Sequence, residues 1–123
     1  MPAALLHPDR QTHLADALLA ATRHWKVSFH FNKGLAGGTS RARAQAADTS
    51  MNPTVLDAFA LAISGSGGPS AWPGIAGHEP DLADGRARAG DVRQAMEELR
   101  KLAPNAGTYV SESGYFDKNW QNA

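Results

Sequence analysis

Residues 28–33, Ser-Phe-His-Phe-Asn-Lys, put hydrogen-bonding side chains at alternate positions. On an extended strand Ser28, His30 and Asn32 project from one face, and Lys33 follows at the strand's end. Imidazole titrates near neutrality, so His30 has the chemistry of a general base or an orienting donor. Ser28, Asn32 and Lys33 are groups suited to holding a polar small molecule. Such a face meets either water or a ligand, and the residues alone leave both open. A second set lies in Tyr109-Val-Ser-Glu112. Alternation there places Tyr109 and Ser111 on one side, Val110 and Glu112 on the other. Glu fits a strand interior poorly, so Glu112 is either an edge-strand gatekeeper or a functional acid. Tyr109 is either a packed aromatic or a phenol available for chemistry.

Other chemistries find less support. The five histidines form no His-x-x-x-His array, and His78-Glu79-Pro80-Asp81 reads as a turn and helix cap, so no metal is expected. The glycines at 34, 37 and 38 and at 65, 67 and 68 lack the Lys-Ser/Thr ending of a phosphate loop. They also lack a Gly-x-Gly-x-x-Gly that opens a helix. Trp72 sits in a Gly/Pro/Ser-rich stretch, where it either caps a pocket or pins the loop to the core.

The elements that must position these groups follow from periodicity. Leu14, Ala17, Leu18 and Ala21 recur at helical spacing, which predicts a helix from residues 7–9 to about 24. Trp25, Val27, Phe29 and Phe31 then alternate with polar residues, a strand over 25–32. Residues 40–48, rich in Ala, Arg and Gln, predict a short solvated helix. Asn52-Pro53 has the form of an N-cap followed by proline at the first helical position, opening a turn or two through Asp57. Residues 58–64 fit a helix or a buried strand, and the glycines that follow favour the strand. Residues 64–80 form a long loop. Ala89, Val92, Ala95, Met96, Leu99 and Leu102 make a helical stripe over 81–103, with Asp81 and Asp84 at its start and Arg100 and Lys101 at its end. Pro104 and Gly107 stop it, and a last strand is expected over 108–113. This order predicts one α+β domain over residues 1–123: an antiparallel or mixed sheet with helices on one face.

The chain has 123 residues, enough for one domain with a modest core. Twelve basic and twelve acidic residues cancel, so bulk electrostatics favours neither nucleic acid nor an anionic membrane. With no cysteine, disulfides, iron–sulfur clusters and thiolate zinc sites are excluded. No apolar run approaches the ~20 residues of a membrane span, and no secretory signal opens the sequence. A soluble cytoplasmic protein, with no nucleic-acid or membrane partner, is the expectation.

His30-Phe-Asn-Lys-Gly-Leu-Ala-Gly37, the stretches 52–63 and 77–80, and residues 107–121 with Tyr115, Phe116 and Trp120 occur in an order that resembles the C-terminal part of FAD-linked oxidoreductases of the berberine-bridge-enzyme-like group. The resemblance runs over nearly the whole chain, from about Leu5 to Gln121, and rests on order and spacing rather than on any one motif. It implies the substrate side of a flavoenzyme, truncated and inactive alone, whose flavin-binding domain is missing. In the group FAD takes a hydride from an alcohol-, amine- or phenol-type substrate and is reoxidised by oxygen. The resemblance implies catalytic roles for His30, Tyr109 and Glu112, substrate contacts from Ser28, Asn32 and Lys33, and Ser111 on the cofactor side. The group's closing Tyr-x-Asn-Tyr-type motif looks like Tyr109-Val-Ser-Glu112 here, so Ser111 replaces Asn and Glu112 replaces the second Tyr. Residues 36–40 also lack the carboxylate that plant-type members carry after the Gly-rich strand end, so their substrate class does not transfer. The alternative is a non-catalytic α+β module that binds a small molecule or a protein.

Overall fold

The computed structural model describes residues 1–109 and Gly114. Two helices carry most of the packing. The first, α1, spans Gln11–His24, and the longest, α3, spans Leu82–Leu102; their mutual contact is the most extensive between any two elements. Ala21 on α1 and Ala95 on α3 are fully buried and join Leu99 in one cluster, on which Leu18, Trp25, Val27, Ala62 and Met96 pack. Alanine at the crossing lets the helix backbones approach closely, and the larger side chains close around it. A second cluster gathers Leu5, Leu14 and Ala103, flanked by Met1, Leu18 and Phe59. No side chain larger than leucine is buried among the described residues, so the core is thin.

Local signals set most element ends. The Asp81 carboxylate accepts from the Asp84 amide at 2.9 Å, capping α3 where the sequence places its start. Thr39 accepts from the Ala42 amide and caps the next helix, α2, over Ser40–Ala47. Asn52 accepts from the Thr54 amide and opens a 3-10 turn over Pro53–Asp57. The first helix begins later than its periodicity predicts. Residues 7–9 are spent in a turn after a separate 3-10 turn over Ala3–Leu6, and Arg10 at the cap position offers no side-chain acceptor. Ala89, assigned to the buried stripe of α3, is exposed, since the helix is covered only in its second half.

Among the described residues the sheet has two antiparallel strands, β1 over Ser28–His30 and β2 over Leu61–Ile63, so the architecture is α+β as the order of elements predicts. Ser28 pairs with Ile63, Phe29 with Ala62 and His30 with Leu61. Directly paired residues point to the same face, so Ala62, which packs against the α1–α3 cluster, takes Phe29 to the helix side. Ser28 and His30 occupy the opposite side.

The strand expected over 25–32 is shorter than its alternation suggests. It ends at His30, and Phe31–Lys33 forms a 3-10 turn. The turn lets Gly34 lie directly against the backbone of Ala58 and Phe59, where a Cβ would meet the Phe59 carbonyl carbon at 2.5 Å. Beyond it, the Leu35 amide donates to the Val55 carbonyl at 2.9 Å and the Ala36 amide to the Ala58 carbonyl at 3.0 Å. These backbone partners are reached only if the chain leaves the β1 direction. The strand expected over 108–113 is not formed at Thr108 and Tyr109, which are irregular; its remaining residues lie outside those described.

Changing buried volume should tell on so thin a core. Leu99→Ala is expected to lower stability by about 2–5 kcal/mol, and Ala95→Leu by about 1–3 kcal/mol through overpacking, both read from urea midpoints. Near the end of α3, the Lys101 ammonium donates to Glu98 at 2.6 Å. That bond holds the Glu98 carboxyl below its ordinary value of 4.5, opposed by desolvation and helped by the charges of Lys101 and His24. A depressed carboxyl contributes stability above its unfolded pKa and loses it as pH falls through the folded value. Glu98→Gln should therefore flatten the stability profile below about pH 4.5, and an unchanged acid limb would contradict the pairing.

Candidate functional site

Ser28 and His30 are both exposed on β1. Their cross-strand neighbours on the same face are Ile63 and Leu61, each half-buried. The face is therefore half polar and half aliphatic rather than a continuous polar wall. Asn32 and Lys33 are exposed as well, but they sit on the 3-10 turn and so do not extend the row. This corrects the expectation that Ser28, His30 and Asn32 share one strand face with Lys33 at the strand's end. The row contracts to Ser28 and His30, because Gly34 must turn in toward Ala58 and Phe59.

On the other side of β1 an aromatic group forms. Phe29 stacks with Phe31 at 6.0 Å between ring centroids and with Phe59 at 6.1 Å, while Phe31 and Phe59 lie 6.2 Å apart. Such offset contacts contribute about 0.5–1.5 kcal/mol each beyond area burial. Phe31 nevertheless remains 66% exposed. With Leu6, Leu35, Phe59, Gly37 and Gly38 it lines an open groove of about 590 Å³. Neither Ser28 nor His30 contributes to that groove.

Tyr109 is exposed. The chain reaches it past Gly107, whose missing Cβ lets the backbone pass Thr54 and Asn52. No hydrogen bond or ring contact joins Tyr109 to His30 among the described residues. Ser111 and Glu112 lie outside the described residues. Of the residues assigned to catalysis, then, His30 and Tyr109 are both solvent-facing.

The residue sequence reasoning passed over is Arg43. Its spacing on an Ala-rich helix gives the signal of a solvated face. Instead its guanidinium donates to the Leu56 carbonyl at 2.7 Å, to the Ala36 and Leu35 carbonyls at 3.4 and 3.5 Å, and to Asp57 at 3.0 Å. One rigid fork thus ties α2 to residues 35–36 and to the turn at Pro53–Asp57. No local pattern encodes partners spaced 7 to 14 residues away.

The loop at 64–80 is fastened at its beginning. The Trp25 indole donates to the Gly65 carbonyl at 3.0 Å, the Ser64 hydroxyl to the Lys26 carbonyl at 3.0 Å, and Arg88 to the Gly67 carbonyl. Arg88 also pairs with Asp84. Farther on, the Trp72 amide donates to the His78 carbonyl and the His78 amide to the Ile75 carbonyl, with Gly74 and Gly77 at φ 83° and 77°. Positive φ at both positions suits glycine and few other residues. Trp72 itself is exposed, and Trp25 and Arg88 fasten the start of the loop.

The Gly34 and Gly38 amides are not free to hold a pyrophosphate. A pyrophosphate needs clustered, unpaired backbone donors. Here the Gly34 and Gly38 amides donate to the Phe31 and Leu35 carbonyls, and Thr39 already caps α2. The space a cradle would need beside Gly34 is filled by the backbone of Ala58 and Phe59. Among the described residues no three His, Asp or Glu side chains gather as a metal site, and no helix is long and apolar enough to cross a membrane. Comparison with protein-family models, curated proteins and solved structures gives no match.

The Arg43 fork yields a comparison of two substitutions. Arg43 is about a third exposed whereas Asp57 is 83% exposed. The carbonyl bonds should therefore outweigh the ion pair. Arg43→Ala is expected to lower stability by about 1–3 kcal/mol and Asp57→Ala by less than about 1 kcal/mol, measured by denaturant titration. Equal losses would return the interaction to a simple surface ion pair.

Proposed function

We propose that this chain is the substrate-side portion of a FAD-linked oxidoreductase of the berberine-bridge-enzyme-like group, completed by a flavin-binding domain that these residues do not supply. The observation that carries the reading is the exposed pair Ser28 and His30 on an extended strand, on the sheet face turned away from the helices. It belongs to the motif His30-Phe-Asn-Lys-Gly-Leu-Ala-Gly37, on which the resemblance partly rests. An imidazole exposed on a strand is able to orient or deprotonate an alcohol, amine or phenol brought against that face. The cofactor would supply the redox chemistry, and these residues would bind and orient the substrate.

A second reading is favoured by a different observation. The polar pair and the apolar groove beside Phe31 lie on opposite sides of β1, and neither Ser28 nor His30 lines that groove. Catalytic groups are expected to converge on one water-excluding site. A non-catalytic α+β module that binds a small molecule or a protein meets this geometry without further parts.

Co-expression of the chain with a flavin-binding domain from a berberine-bridge-type oxidase separates the two. The oxidoreductase reading expects a co-purifying complex with visible flavin absorbance and oxidase activity. In it, His30→Ala should raise KM or lower kcat by tenfold or more, while Lys26→Ala on the exposed approach to β1 leaves both unchanged. Failure to associate would favour the binding module. Stoichiometric FAD binding by the chain alone would contradict the division of labour proposed here.

A further inference from the structure

We draw no further inference here: the strongest candidate, the open apolar groove formed by Leu6, Phe31, Leu35 and Phe59 beside Gly37 and Gly38, carries nothing because nothing in the structure shows what covers it.

Discussion

Ala58, Phe59 and Ala60 are where separate parts of the chain meet through backbone hydrogen bonds, and the rest of the fold depends on that junction. From one direction Met1 and Pro2 run antiparallel to it: the Phe59 amide donates to the Met1 carbonyl at 2.9 Å, and the Met1 amine to the Ala60 carbonyl at 2.8 Å. From another, Gly34 presses against Ala58 and Phe59, and Ala36 donates to the Ala58 carbonyl. The same segment then continues into β2 and pairs with β1. A two-stranded sheet of three residues each has little stability of its own. Here its strands are held because their flanks are tied on both sides and because Ala62 enters the α1–α3 cluster. Ala60 is buried and Ala58 and Phe59 are half-buried, so an unpaired backbone group there would carry a desolvation cost.

The same junction explains the form of the candidate site. Holding Gly34 against Ala58 forces the turn at Phe31–Lys33, which leaves Ser28 and His30 on the strand and removes Asn32 and Lys33 from their row. It also turns Phe31 outward beside Phe59, producing the aromatic groove on the opposite side. Arg43 secures the arrangement by bonding carbonyls on both sides of the contact between residues 35–36 and 55–57. The chemistry available on β1 is thus a consequence of backbone satisfaction elsewhere. The Met1 amine shares in it, and burial there pushes its pKa below the ordinary value of 8.0.

What was legible in the sequence was local. Asp81 and Asn52 cap the elements that follow them, as their positions predict, and the apolar spacing of α1 and α3 identifies the buried face around Leu14, Ala21, Ala95 and Leu99. The strand preferred over residues 58–64 forms over Leu61–Ile63, and the glycines after Ser64 leave no room for a helix of useful length. What escaped was tertiary. Alternation through Asn32 continues past the point where the chain turns, because the cause is a contact between residues more than twenty positions apart. The pairing of Met1 and Pro2 with residues 58–60 has no sequence signature, and neither has the Arg43 fork. At the site, alternation correctly sent Ser28 and His30 to one face, but not their apolar neighbours Leu61 and Ile63.

Amide hydrogen exchange across the junction tests this account most directly. The Leu35, Ala36 and Phe59 amides, all outside regular helices and strands, should be protected to nearly the same degree as the β1–β2 ladder and should open together with it. Exchange of those three amides at unfolded-chain rates, with α1 and α3 still protected, would mean that the helices stand without the junction and that the sheet face bearing His30 is not held in place.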